Sequence, residues 1–279
     1  MTALDERGRR ALVTLLEDDD PQLQQLLAEQ LARMGPTGCE VLEQTLREGS
    51  PAARRHAARL LRDLREQQAE EKFLRFCRNE ANGDLETGNW LLAKTRYPTL
   101  EEHAYRARLD QMAQELRERL TGRETPRATV EVCNHYLFQL LNFRGNVHDY
   151  YDPDNSYLNR VLDRRLGIPI SLSVVYLLLG QRLGWPLFGV GLPGHFLLTW
   201  RSPDVAFFID PFHGGQLLDE AACRRLAIRH AGVFHDHFLQ PVPSRKILAR
   251  QCHNLYAIYR TSDPRRAERM RRFLEALSD

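Results

Sequence analysis

The segment 168–180, IPISLSVVYLLLG, carries no charged side chain, and it constrains the fold more than any other part of the chain. Leu172, Val174, Val175, Leu177, Leu178 and Leu179 cover most sides of the helix predicted over 171–183, and a helix that is apolar on most sides belongs in a core. It is too short to cross a bilayer, which takes roughly 20 apolar residues. Beyond Gly184 the apolar period shifts toward that of strands, at 187–190, 195–200 and 205–210. The expected core is therefore a buried helix packed on a small antiparallel sheet. With helices predicted almost everywhere else, the fold class is α+β and predominantly helical.

The second and third strands read as a hairpin that turns at 201–204. This register pairs 200 with 205 and sets His195 directly opposite Asp210, at a cross-strand Cβ spacing of about 5 Å. A carboxylate at that spacing fixes the tautomer of an imidazole and stabilises its protonated form, the orienting role in a nucleophile-base-orienter triad. An unreactive polar pair at a strand end has the same signature. A third member is available at the start of the buried helix, GIPISLS, where unpaired N–H groups and the helix dipole favour negative charge and can supply half of an oxyanion hole. Ser171 is the candidate nucleophile there. Serine is also among the commonest helix caps and needs no chemistry to explain it.

The N-terminus repeats itself. Sliding the chain by 30 residues lays Leu12 on Leu42, Leu16 on Leu46, Pro21 on Pro51, Ala28 on Ala58 and Leu31 on Leu61. Each unit reads as a helix, an acidic or Gly/Ser turn, a proline at the first position of the next helix, and a second amphipathic helix. The pattern resembles a pair of short HEAT-like repeats; two ordinary helical hairpins are the alternative. Two repeats bury little surface alone, so they are expected to dock on the rest of the chain or on a partner. Helices are predicted over 68–79, 85–95, 100–120 and 126–141. The Gly/Asn/Asp/Tyr-rich stretch 142–156 then reads as a long loop of the kind that carries function. A short helix over 157–165 follows, and after the strands come helices over 217–228, 244–260 and 264–277. The last two resemble a tetratricopeptide-type hairpin. The expected divisions are 1–65 for the repeats, 66–240 for the domain holding the core, and 241–279 for the C-terminal hairpin.

Lys plus Arg number 39 against 37 Asp plus Glu, a near balance that gives no global field to gather nucleic acid or an anionic membrane. The opening MTALDERGRR lacks the apolar stretch of a signal peptide. Five scattered cysteines without CxxC spacing fit reduced thiols, and the expected location is the cytoplasm.

The stretch from FRGNVHDYYDPDNSYLNRVLDRRLGIPISLSVVYLLL through PGHFLLTW to FFIDPFHGG resembles the SirB-type transglutaminase-like family of bacteria, related in fold to transglutaminases and papain-like peptidases. The resemblance runs from about Trp90 to Gly215. In the wider superfamily a cysteine opens the central helix, a histidine begins one strand and an aspartate ends the next. The resemblance gives His195 the histidine's place, Asp210 the aspartate's, and Ser171 most nearly the cysteine's. Gly194, Asn155 and Tyr157 belong to the family's pattern and are expected to line the pocket. No cysteine lies near the helix start; Cys133 and Cys223 are the closest in sequence. Because a serine hydroxyl must lose its proton to the base during attack, whereas a thiol beside imidazole ionises readily, thiol chemistry is not carried over.

Other signals are set aside. Asp152, Asp154, Ser156 and Asp163 fall on a calcium-loop template, but Tyr157 stands where that loop needs glycine, and the run reads as a turn and cap. His230, His235 and His237, with His213, lack the carboxylate or thiol spacing of a metal site. Gly189, Gly191 and Gly194 fit a strand end and turn rather than a phosphate loop. No cofactor and no metal are expected. Two functional readings follow: a non-catalytic or regulatory module that binds another protein, and a serine hydrolase or amidase acting on a peptide or amide bond through Ser171, His195 and Asp210.

Overall fold

Proline at the first helical position recurs through the N-terminal segment, where its missing N–H would be unpaired in any case. The computed structural model, which describes residues 6–79, 81, 83–122 and 124–278, places Pro21, Pro36 and Pro51 at such positions. Helices α1 (Glu6–Leu15), α2 (Pro21–Arg33), α3 (Pro36–Glu48) and the start of α4 (Pro51–Asn79) form one of two compact units, which extends to Lys72 and also includes Lys94–Leu100. Its core joins Leu16, Leu27, Leu31, Leu42 and Leu61, so the register-related pair Leu31 and Leu61 is buried in both copies of the 30-residue pattern. The turn before α2 is fixed by Asp20, whose carboxylate accepts from the Gln22 N–H at 2.8 Å. Helix α4 runs unbroken through residue 65.

The second unit comprises Phe73–Ala93 and everything from Glu101 onward. Helices α5 (Leu85–Lys94), α6 (Glu102–Glu118) and α7 (Pro126–Asn134) lead into a π-helical turn, His135–Leu140. The loop that follows is pinned by a short parallel pairing of β1 (Arg144–Gly145) with β2 (Leu166–Gly167), on either side of α8 (Leu158–Arg164). The central helix α9 (Pro169–Leu183) is buried from Pro169 to Gly180, as its composition requires. It packs on the first strands of an antiparallel sheet ordered β6-β5-β4-β3-β7, made of β3 (Leu187–Val190), β4 (Leu197–Arg201), β5 (Ala206–Asp210), β6 (Gln216–Leu218) and β7 (Pro241–Val242). Helix α10 (Glu220–Ala231) packs Cys223 and Ala227 against Val190, Leu197 and Phe208. Helices α11 (Ser244–Ser262) and α12 (Pro264–Ser278) close the chain as a hairpin.

The expected strand register is corrected. β4 and β5 pair Trp200 with Phe207 and Arg201 with Ala206, two residues away from the predicted pairing. The connection is a four-residue loop, 202–205, closed by the Ser202 N–H donating to the Val205 carbonyl at 3.0 Å, rather than a two-residue turn. A slip of one residue would have exchanged the sheet faces, whereas a slip of two keeps every side chain on its face. Two further corrections concern 216–218 and 241–242, which are edge strands; the helix expected from 217 begins at Glu220, where the Asp219 carboxylate caps it by accepting from the Ala222 N–H at 2.7 Å.

One buried carboxylate ties the far end of α9 to the helices around it. Glu86, 8% exposed, accepts from Arg182 Nη1 at 2.8 Å and Nη2 at 3.0 Å, and from the Trp90 indole at 3.2 Å, while Arg106 lies at 3.1 Å. Arg182 also donates to Asp110 at 2.7 Å. Removing one member of such a cluster strands the others in a poorly solvated site. Glu86→Ala is expected to lower stability by about 3 kcal/mol in urea unfolding, and Glu86→Gln by less, because its amide oxygen still accepts.

Candidate functional site

The chain enters α9 through Gly167-Ile168-Pro169, and this entry decides what Ser171 does. Ser171 Oγ accepts the Ile168 N–H at 3.0 Å and donates to the Asn155 carbonyl at 2.6 Å. The hydroxyl is thereby spent as a helix cap and as a tie to the preceding loop, and it makes no hydrogen bond to His195. The backbone approaches it so closely that a Cβ on Gly167 would lie 2.7 Å from Ser171 Oγ, which leaves glycine as the residue that fits. Four thiols of the same unit are equally unsuited to nucleophilic work. Burial pushes Cys77, Cys133 and Cys223 up to about 12 and Cys252 well above the ordinary thiol value.

His195 and Asp210 do meet. His195 lies two residues before β4, after a turn in which its N–H donates to the Leu192 carbonyl at 3.2 Å. Pro193 and Gly194, the latter at φ +69°, occupy the central positions of that turn, where a preset φ and then a positive φ are needed. Asp210 ends β5, and its Oδ2 lies 2.8 Å from His195 Nε2. The same oxygen lies 2.8 Å from His213 Nδ1, and Oδ1 accepts the backbone N–H groups of Phe212 at 3.1 Å and His213 at 3.4 Å. Burial, the largest single influence, disfavours the Asp210 charge. The hydrogen bonds and charges of His195 and His213 together outweigh it, so the carboxyl sits below its ordinary value. An ionised carboxylate only accepts, so both imidazole nitrogens that face it carry hydrogen.

His195 borders a cavity of about 180 Å³ whose wall also includes Tyr150, Pro169, Ile170, Gly194, Arg250 and Asn254. The helix tip thus presents Pro169 and Ile170 to His195, not Ser171. Gly194 lies on this wall. Asn155 and Tyr157 do not: both are buried behind it, 0% and 1% exposed. Asn155 is a structural hub whose amide donates to the carbonyls of Asp149 at 2.7 Å and Tyr150 at 3.2 Å, while its own Oδ1 accepts from Asn146 at 3.0 Å. It positions the loop that carries Tyr150. Tyr157 places its hydroxyl 2.9 Å from that of Tyr259. Arg250, Asn254 and Tyr150 were not singled out by the sequence. Arg250 and Asn254 share a four-residue spacing with many pairs on other helices, and only the fold shows that theirs faces the site.

Asp152 and Asp154 serve the turn: Asp152 accepts the Asp154 N–H at 2.9 Å and pairs with Arg164 at 2.6 Å, and Asp154 pairs with Arg160 at 3.0 Å. Among the described residues, one group offers metal-ligand atoms within 4.8 Å of one another, namely His195, Asp210 and His213. His230, His235 and His237 are outside it. The atoms of that group are already hydrogen-bonded to each other.

A buried helix whose N-terminus meets a His-Asp pair on an antiparallel sheet is the arrangement expected of a transglutaminase-like core. The family model described as transglutaminase-like superfamily matches residues 103–253, and the chain belongs to that superfamily. It is 39% identical over 179 residues to a UPF0162 protein of Xylella fastidiosa strain Temecula1, covering 62% of this chain and 64% of that one. It is 28% identical over 162 residues to a UPF0162 protein of Vibrio cholerae, covering 57% and 60%. Human F-box only protein 21 is 33% identical over 172 residues, covering 59% of this chain and 25% of that protein. The chain thus spans less than two thirds of the length of these curated relatives. No solved structure matches.

Because the folded Asp210 carboxyl lies below its ordinary value, its stabilising contribution is complete above that ordinary value and fades as pH falls through the lowered one. Asp210→Ala is expected to cost about 3 kcal/mol near neutral pH. Urea melts of wild type and variant should converge as the pH is taken below the usual carboxylate range.

Proposed function

We propose that this chain is a non-catalytic binding member of the transglutaminase-like superfamily, in which the histidine and aspartate persist as the framework of a recognition pocket. The observation that carries this reading is the Ser171 hydroxyl, tied to the Asn155 carbonyl at 2.6 Å and to the Ile168 N–H at 3.0 Å. A serine nucleophile needs its base within hydrogen-bond reach. Here the residues beside His195 at the helix tip are proline and isoleucine, which have no nucleophilic atom. Hydrolysis through Ser171, His195 and Asp210 would require Oγ to give up two hydrogen bonds and turn from its cap.

The N-terminal unit fits the same proposal as the element that engages a protein partner in a HEAT-like manner. Its helices follow a 30-residue repeat, and Leu15 and Leu26 are 40% and 63% exposed. The C-terminal α11–α12 hairpin is proposed as a tetratricopeptide-like support for the pocket, since α11 supplies Arg250 and Asn254 to its wall. A reducing compartment, the cytoplasm, suits five cysteines that form no disulfide. Among the described residues no helix is long and apolar enough to cross a membrane.

The test is covalent labelling of the full chain with a fluorophosphonate and, separately, with iodoacetamide. The expected result is no fluorophosphonate adduct in wild type or Ser171→Ala, and no alkylation within 166–196 by peptide mass mapping. A fluorophosphonate adduct that disappears in Ser171→Ala would make the protein a serine enzyme. The same variant is expected to lose about 1 kcal/mol of stability or more, the usual worth of a helix cap, because the buried Asn155 carbonyl loses its donor.

A further inference from the structure

Arg250 has no acidic partner among the described residues, although much of its side chain is removed from water. Its one hydrogen bond goes from Nη2 to the His195 carbonyl at 3.3 Å. Burial lowers its pKa, and the Tyr150 phenol acts in the opposite direction. Several half-buried arginines of this unit are ion-paired, among them Arg182 with Glu86 at 2.8 Å and Arg160 with Asp154 at 3.0 Å. The larger cleft of about 460 Å³ over β4 and β5 is bordered by Arg224, which pairs with Glu220 at 2.8 Å and Asp236 at 3.2 Å. The wall of the small cavity contains no Asp or Glu at all. A guanidinium in such a setting is satisfied when an anion arrives.

The other groups on the wall define that anion. Asn254, one turn along α11 from Arg250, adds an amide. The first turn of the 15-residue α9 begins at the wall with Pro169 and Ile170, and its leading amides have no intrahelical acceptor. His195, 7% exposed, has Nε2 committed to Asp210, and its Nδ1 has no partner among the described residues. With the hydrogen of an uncharged imidazole on Nε2, Nδ1 holds a lone pair and accepts. The cavity therefore combines one unneutralised cation, an amide, a helix N-terminus and one imidazole acceptor. One guanidinium matches one negative charge, which favours a carboxylate over a doubly charged phosphate. The acceptor nitrogen asks for a neighbouring N–H on the ligand. A carboxylate and an N–H on the same residue are what the C-terminal unit of a peptide offers.

Resting on the non-catalytic reading above, we infer that this cavity binds an N-acylated amino-acid carboxylate, the C-terminal residue of a peptide, with its carboxylate on Arg250 and Asn254 and its N–H on His195 Nδ1. Beside the wall residue Tyr150 stands Tyr151, 74% exposed, an aromatic surface over which the preceding residues of an extended peptide can lie. A free N-acyl amino acid offers the same chemistry without the chain.

Calorimetric titration of the full chain with four probes separates the sources: N-acetyl-Ala-Leu, its C-terminal amide, N-acetylleucine and inorganic phosphate. The acid dipeptide is expected to bind at least about tenfold more tightly than its amide, the size of one charge-assisted contact. Arg250→Gln should remove that preference and Arg250→Lys should keep part of it, each checked for a cooperative thermal melt. A dipeptide tighter than N-acetylleucine supports a chain terminus as the ligand; equal affinity supports the free acyl amino acid at the same site. Equal binding of acid and amide, tighter binding of phosphate, or no binding of any probe at millimolar concentration overturns the inference. The acid-to-amide comparison uses wild-type protein and so holds even if the Arg250 variants fail to fold. Failure here with Ser171 unlabelled removes the ligand and leaves the non-catalytic reading in place, whereas labelling of Ser171 removes that reading whatever the titration gives.

Discussion

A buried carboxylate must have both its oxygens satisfied, and the way Asp210 meets this requirement organises the site. At 2% exposure its charge is sustained by two backbone N–H groups on Oδ1 and two imidazoles on Oδ2. The backbone bonds wind Pro211–His213 into a 3-10 turn, and that turn returns His213 to the carboxylate that starts it. The bond to His195 fixes the end of β5 against the loop before β4, and with it the wall of the cavity. Loss of the carboxylate would disturb a turn, two rings and the junction of two strands together.

The same bonds make the His-Asp pair part of the fold as well as of the candidate site. The His-Asp pair has a structural function here, so keeping it does not require chemistry. A hydroxyl at a helix tip suggests reactivity, yet the two hydrogen bonds of Ser171 serve the backbone. Folds outlast the reactions they once carried, and the local geometry of a site, rather than the family it belongs to, decides what it does. In this chain the helix tip meets His195 through Pro169 and Ile170, and Arg250, Asn254 and Tyr150 supply the other polar side chains of the cavity wall.

Much of the core was legible in the sequence because its signals are local. The uncharged run 168–180 announced a buried helix, and β3 falls on the predicted residues 187–190. The pairing of His195 with Asp210 was anticipated from a register that proved to be displaced by two residues; the parity of the strand preserved the face, and the approach is diagonal rather than directly across. What was not legible depends on contacts between distant segments. His213 reaches Asp210 only because Pro211 turns the chain, and Arg250 joins the site from a helix about 55 residues downstream of His195. Asn155 and Tyr157 carry the family's pattern but serve packing: one organises a loop, and the other joins a buried pair of phenols. Sequence pattern marks that such residues matter without distinguishing a wall from its foundation. The short strands β6 and β7, three and two residues long, carry too little periodicity to be seen.

His195 is coupled to Asp210, whereas the Ser171 hydroxyl bonds to the backbone. The most direct measurement is the long-range ¹H–¹⁵N correlation spectrum of the His195 imidazole in wild type and Ser171→Ala at neutral pH. The expected result is an Nε2 that carries hydrogen toward Asp210 and imidazole nitrogen shifts that are the same in both proteins. A change at Nδ1 on removing the Ser171 hydroxyl would show that serine and histidine share a hydrogen bond, and would contradict it.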